Sequence, residues 1–233
     1  MTGKAIERRL LSLRDATIAE GHLRFFKCGP GQYGEGDAFL GLNVPMLRTL
    51  SKEFTPASVD ELIELLQSRW HEARLLALMI LVRKYERGDE ELRDEIYRRY
   101  LANTDRINNW DLVDASAPNI VGAHLLDRDR KPLYTLAKSD SLWKRRIAIV
   151  ATQHLIRHDD FDDTLRIAEL LLDDKHDLIH KASGWMLREV GKRDQAVLER
   201  FLRQHAPRMP RTMLRYAIER FPEEARRKYM AKG

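Results

Sequence analysis

Apolar residues recur at helical spacing along almost the whole chain. No segment shows the sustained period-two alternation, rich in β-branched residues, that a strand requires. Residues 4 to 27 read as one helix, with Ile6, Leu10, Leu11, Leu13, Ile18 and Leu23 at roughly helical intervals and Phe25-Phe26 near its end. Lys27-Cys28-Gly29-Pro30-Gly31-Gln32-Tyr33-Gly34-Glu35-Gly36-Asp37 follows, and its glycines and proline make it a loop. It is not a phosphate-cradling P-loop, because no Gly-Lys-Ser/Thr comes after those glycines. Asn43-Val44-Pro45 reads as a helix start, a cap followed by a proline where a missing N–H costs nothing. The helix it opens carries Met46, Leu47, Leu50 and Phe54 and exposes Arg48 and Lys52.

From Ser58 onward the pattern itself repeats. Ala77, Ala148, Ala182 and Ala217 take comparable places in apolar helices, the last three separated by 34 and 35 residues. Asp114 stands 34 residues before Ala148, and Ala77 another 37 before that. Such a period belongs to paired helices, each pair stacking on the next. Breaks fall between them at Gly88-Asp89, Asp127 to Lys131, His158 to Asp163 and Arg193-Asp194. The expected fold is all-α, an α-solenoid of HEAT-like helix-pair repeats. Residues 1–233 would form a single repeat domain, with N-terminal helices and the Gly-rich loop over 1–57 and helical repeats over 58–233. Second helices of successive pairs then line one surface, usually the concave one.

One stretch on such a helix stands out for chemistry. In Ile107-Asn108-Asn109-Trp110-Asp111-Leu112-Val113-Asp114, a helix start would put Trp110 and Asp114 on one face, with Cβ atoms roughly 6 Å apart. Asn108 is a suitable N-cap with Asp111 three residues on, and Pro118 denies an N–H to the Asp114 carbonyl, so the helix should bend or stop there. The plain alternative is a core tryptophan with acids that complement the helix dipole. The repeat register argues for more. Arg146 and Trp185 fall within about five residues of the same point in the next repeats, and Lys144, Arg145, Lys181, Arg188 and Lys192 are near enough to track a phosphate backbone.

Charge supports a polyanionic partner. The net charge is +5, and the segment from Glu199 to Gly233 alone carries +6, with Arg211 and Arg215 among its basic residues. These two, with Arg48 and Lys52, complete the candidate DNA-binding set; a merely solvated basic helix surface is the other reading. No apolar run reaches the roughly 20 residues of a membrane span, and the charged start has no signal-peptide pattern. One cysteine, Cys28, makes neither an internal disulfide nor a zinc cluster, so a cytoplasmic, metal-free chain without cofactor is expected.

These residues resemble the AlkD-like DNA alkylation repair family, the HEAT-like-repeat DNA glycosylases. Four stretches carry the likeness: Tyr33-Gly34-Glu35-Gly36-Asp37-Ala38-Phe39-Leu40-Gly41-Leu42-Asn43-Val44-Pro45, Asn109-Trp110-Asp111-Leu112-Val113-Asp114, Leu142-Trp143-Lys144-Arg145-Arg146, and Lys181-Ala182-Ser183-Gly184-Trp185-Met186-Leu187-Arg188-Glu189. The resemblance implies excision of purines alkylated at N3 or N7. It places the active-site pair on Trp110 and Asp114, a partnering arginine on Arg146 and a second aromatic on Trp185. It also implies capture of the lesion on the concave surface without base flipping, and a concave face that binds duplex DNA. Two features depart from the pattern. Phe25 and Phe26 stand where some members have a tyrosine, and the Gly-rich loop belongs to only part of the family.

An N3- or N7-alkylpurine is cationic and already a good leaving group. Asp114 would stabilise the positive sugar left behind and orient a water. Trp110 and Trp185 would offer electron-rich faces worth roughly 0.5–2 kcal/mol each. Arg146 would hold a neighbouring phosphate or orient Asp114, or form an internal ion pair. No lysine coincides with the pair, so a monofunctional hydrolase is expected, acting as a monomer on double-stranded DNA containing alkylated bases. Two other readings stay open: a DNA-binding solenoid without catalysis that recognises distorted or branched DNA, and a protein-interaction scaffold.

Overall fold

In a computed structural model, which describes residues 2–231, the chain folds into helices joined by turns and by a longer connection over residues 26–43. Among those residues the one extended pairing is an isolated parallel bridge between Ala38 and Trp70. No helix among them is long and apolar enough to cross a membrane. Packing divides the chain into two units, Met1–Ser116 and Ala117–Gly233.

The first unit holds α1 (Gly3–Leu11), α2 (Ala16–Phe25), α3 (Val44–Glu53), α4 (Val59–Leu66), α5 (His71–Arg87), α6 (Glu90–Ala102) and all but the end of α7 (Trp110–Ala117). The single helix expected over residues 4–27 is in fact two. Asp15 is extended between them; its carboxylate accepts the Ile18 N–H at 3.0 Å, and its own N–H goes to the Leu40 carbonyl at 2.8 Å. The apolar spacing runs on across this cap, so periodicity alone does not reveal the break. Helix α3 begins as its sequence requires, with Asn43 Oδ1 accepting the Met46 N–H at 3.0 Å; Leu47 and Leu50 turn inward, Arg48 and Lys52 outward.

Helix α5 is the core of this unit. Ala73, Leu75, Leu76, Ala77, Leu78, Ile80 and Leu81 are buried around its circumference, and α3, α4 and α6 pack on it. A helix apolar on all sides belongs in the interior, and each leucine so buried contributes about 1.5–3 kcal/mol. Its first turn carries His71, Glu72 and Arg74 inside with it. Helix α4 enters through a capping box between Ser58 and Glu61 and buries Leu62, Ile63, Leu65 and Leu66.

The proline at 118 does not stop the helix. The chain continues from α7 into a π-helical turn, Pro118–Gly122, and then α8 (Ala123–Leu125). Proline lacks the N–H for a regular i→i−4 bond, and a wider turn is one way for the helix to accommodate that loss.

The second unit continues with α9 (Lys131–Ala137), α10 (Leu142–Arg157), α11 (Asp162–Leu170), α12 (Asp177–Arg193), α13 (Gln195–His205), α14 (Arg211–Ala217) and α15 (Glu223–Ala231). Helix α9 packs on α10, and α10, α12 and α14 lie side by side in succession. Ala148, Ala182 and Ala217, the residues picked out by the period, are buried there. At Gly184 the approach is closer still: a Cβ would come 2.5 Å from Tyr216 Cβ and nearer yet to the Met213 carbonyl. Polar rungs join successive pairs. Arg130 reaches Asp160 at 2.5 Å and Asp163 at 2.7 Å, Arg145 Nε reaches Asp174 at 2.6 Å, and Arg193 reaches Asp159 at 2.8 Å.

Candidate active site

The start of α7 is built differently from the sequence expectation. Its cap is Asn109, not Asn108. Asn109 is fully buried, its Oδ1 accepts the Trp110 N–H at 2.8 Å, and its carbonyl takes the first helical bond, from Val113, at 3.1 Å. Its Nδ2 donates to Asp37 at 3.2 Å. Asp111 Oδ1 accepts the Leu112 N–H at 2.9 Å, while its Oδ2 lies 2.7 Å from His71 Nε2. Asp111 is therefore a tether from α7 to α5 rather than a simple helix-dipole charge.

Behind that tether lies a buried ionic cluster. His71 is 2% exposed and its Nδ1 meets Asp37 at 2.9 Å. Arg74 donates to the other Asp37 oxygen and, through Nη1, to the Ser68 and Arg69 carbonyls at 3.1 Å. Burial alone would raise the Asp37 pKa, but hydrogen bonds and charge from His71 and Arg74 hold it below the usual carboxylate range. Glu72, equally buried, accepts the N–H groups of Leu40, Gly41 and Leu42 at 2.9, 2.8 and 3.2 Å, with His22 at 3.4 Å. These contacts seat the segment that follows the Gly-rich loop. Gly41 fits because its φ is +83° and a Cβ there would run into the start of α2, 2.8 Å from Ala19 N.

Aromatic rings connect the cluster to Trp110. Phe39 stacks on His71 with centroids 4.6 Å apart, and Phe26 stacks on Trp110 at 5.3 Å and 26°. Phe25, 64% exposed, meets Trp110 edge-on at 5.9 Å. Together with Val44, Leu47 and Leu75 these rings line a cleft of about 310 Å³. No pocket-forming loop is evident in the sequence, so this cleft is a finding of the structure. One Trp110 face is thus packed by Phe26, and the ring is only half-buried.

Asp114 is half-buried on α7, four residues after Trp110, as the spacing requires. Beneath the helix, Tyr100 hydroxyl and Ser116 hydroxyl share a hydrogen bond of 2.9 Å, and Ser116 donates to the Leu112 carbonyl at 2.6 Å. Burial, with the Asp114 charge adding to it, keeps the Tyr100 phenol protonated far into alkaline solution.

The remaining candidates belong to the second unit, apart from Arg48 and Lys52 on α3. Arg146 is buried and its Nη1 donates to the Leu178 carbonyl at 2.7 Å, linking α10 to the first turn of α12. Arg145 is committed to Asp174 and to the Ser139 and Asp140 carbonyls. Lys144 is half-buried one residue before. Trp185 is half-buried on α12 and gives its indole N–H to Glu189 at 3.1 Å. Glu189 gathers Lys192 at 2.7 Å and Arg188 at 3.5 Å, so these three are neighbours of Trp185. Arg188 also pairs with Glu219, Lys181 pairs with Asp177 at 2.8 Å, Arg211 caps the Met230 carbonyl at 2.7 Å and Arg215 is exposed.

Sequence reasoning missed Asp37, His71, Glu72, Arg74 and Asn109. A signal was present. His71-Glu72-Ala73-Arg74 opens a long helix whose next residues, Leu75 to Leu78, are apolar on successive sides, and ionisable groups on an interior helix must find partners.

The model of the family described as DNA alkylation repair enzyme matches residues 6–221. The chain belongs to that family. Membership points to a role in DNA alkylation repair, with DNA as the partner. Its fold is similar to a solved structure described as a predicted DNA alkylation repair enzyme from Enterococcus faecalis, with TM-score 0.68, 17% identity, 90% of this chain covered and 97% of that one. At that identity the likeness speaks for the fold. Comparison with curated proteins finds no match.

Proposed function

We propose that this DNA alkylation repair family member hydrolyses the N-glycosidic bond of cationic N3- or N7-alkylated purines in duplex DNA, as a monofunctional glycosylase that acts without flipping the base. The observation that carries this reading is the placement of Trp110 and Asp114 on one face of α7, a helix whose first turn is fixed from below by Asn109 and Asp111. As the bond from the sugar C1′ to the base breaks, its electron pair leaves with the base, which becomes neutral. The sugar is left positive. The Asp114 carboxylate stabilises that charge and takes a proton from the water whose oxygen bonds to C1′; the proton then passes to solvent. Trp110 offers its ring to the cationic nucleotide and sugar; Trp185 is assigned the second aromatic contact, and Arg146 ties α10 to α12.

Phosphate contacts fall to the basic residues Arg48, Lys52, Lys144, Lys181, Arg188, Lys192, Arg211 and Arg215, with Arg145 bracing the turn before α10. The enzyme works as a monomer in the cytoplasm on alkylated double-stranded DNA. The test is incubation with duplex DNA carrying N7-methylguanine, followed by alkaline cleavage of abasic sites; release above background is expected. A second reading, DNA binding without excision, is favoured by one observation. Phe25 and Phe26 bring rings but no hydroxyl to Trp110. Binding with no base release would select it.

A further inference from the structure

Both ring nitrogens of His71 face carboxylates, Nδ1 at 2.9 Å from Asp37 and Nε2 at 2.7 Å from Asp111. An ionised carboxylate only accepts, so each contact needs an N–H, and a neutral imidazole has one. A neutral ring would press a lone pair against a carboxylate at a residue only 2% exposed. The geometry requires the imidazolium. Taking α7 as the active helix, as proposed above, we propose that the His71 imidazolium is a positioning residue. It fixes the first turn of α7, and with it Trp110 and Asp114, by holding Asp111, and it ties that turn to the Gly-rich loop by holding Asp37.

The coupling to Trp110 runs by two routes. The polar route passes through Asp111, the next residue in the chain. The aromatic route passes through Phe26, whose ring lies 4.9 Å from His71 and 5.3 Å from Trp110. The charged and titratable groups around the ring are Asp37 and the Cys28 thiol from the loop, Asp111 from α7, Glu72 and Arg74 from α5, and His22 from α2. Arg74 is bound to Asp37, and Glu72 is filled by three backbone N–H groups and His22. Burial pushes the Cys28 thiol up to about 11, with Asp37 adding to it, so it stays protonated. Burial would lower the His71 pKa, but the two carboxylates outweigh it and lift it to about 9. Loss of that proton removes one of the two tethers. The plain alternative is a rung of the inter-repeat ladder that stabilises without setting Trp110.

The experiment replaces tryptophan with 5-fluorotryptophan and follows the ¹⁹F resonance of Trp110, assigned by Trp110→Phe, against pH. The expected midpoint in the unmutated chain is about 9, and it falls in Asp111→Asn, where one flanking charge is gone. His71→Gln puts an amide N–H where Nε2 sits and keeps the Asp111 contact. His71→Asn puts it where Nδ1 sits and keeps only Asp37. The Trp110 resonance should stay near its normal position in the first variant and move in the second. Single-turnover base release should follow the same order, within about threefold for Gln and down about tenfold or more for Asn, with DNA binding unchanged. Melting temperatures separate either effect from unfolding. A Trp110 resonance indifferent to pH between about 7 and about 10, or equal displacement in both variants, overturns the proposal. Absence of base release by the unmutated chain would sink the glycosylase reading alone, because the resonance still decides the role of His71.

Discussion

Asp37, Asp111 and Asp114 lie on or beside α7, yet their surroundings divide the work among them. Asp37 is the buried anchor of His71, Arg74 and Asn109, and Asp111 holds the other side of His71. Their linkage has a definite sign. The raised His71 pKa gives stability that is complete below its ordinary 6.5 and is lost as pH rises through about 9. The lowered Asp37 pKa gives stability present above its ordinary 3.8 and lost as pH falls through the folded value. Urea midpoints should therefore decline on the alkaline side between those two His71 values, and His71→Gln should flatten that decline. An alkaline limb identical in the variant would remove His71 from the linkage. Glu72 gives a second test. Its carboxylate is filled by three backbone donors, and Glu72→Gln sets an NH₂ group against one of them, so ~1–3 kcal/mol should be lost in urea unfolding.

Helix boundaries that depend on neighbouring residues are legible in the sequence. Asn43-Val44-Pro45 announces α3, and Asp194, one residue past the end of α12, caps α13 by accepting the Val197 N–H at 3.1 Å. Boundaries set by remote partners are not legible. Asp15 divides α1 from α2 with the help of the Leu40 carbonyl, and no local pattern carries that contact. The cap of α7 lies one residue beyond its expected place for a related reason, since Asn109 is drawn inward by Asp37, far away in sequence. The repeat period is legible because small residues recur where helices cross, and Gly184 is the tightest such place between α12 and α14. Gly184→Ala should cost ~1–3 kcal/mol through overpacking against Met213 and Tyr216, measured by thermal or urea unfolding. A neutral substitution would mean the two helices separate easily.

For the molecule as a whole, membership of the DNA alkylation repair family and a net charge of +5 join the local chemistry to a polyanionic partner. Contacts that are mostly Lys and Arg to phosphate should make duplex affinity fall by about three orders of magnitude or more between 50 and 200 mM salt if roughly six phosphates are neutralised. Affinity nearly constant across that range would argue that the basic residues face elsewhere. Of the candidate site, the Trp110–Asp114 pair could be read from spacing and register, because both residues sit on one helix. The ionic cluster beneath it could not, since His71 finds its partners 34 and 40 residues away on either side.

The most direct measurement compares single-turnover release of N7-methylguanine from duplex DNA by the unmutated chain and by Asp114→Asn, with melting temperature and DNA affinity taken on the same samples. Removing the charge while keeping the shape should slow release by one to two orders of magnitude, roughly 1.4–2.7 kcal/mol of transition-state stabilisation, and leave binding nearly unchanged. A stably folded Asp114→Asn that releases the base as fast as the unmutated chain would contradict a catalytic role for this carboxylate.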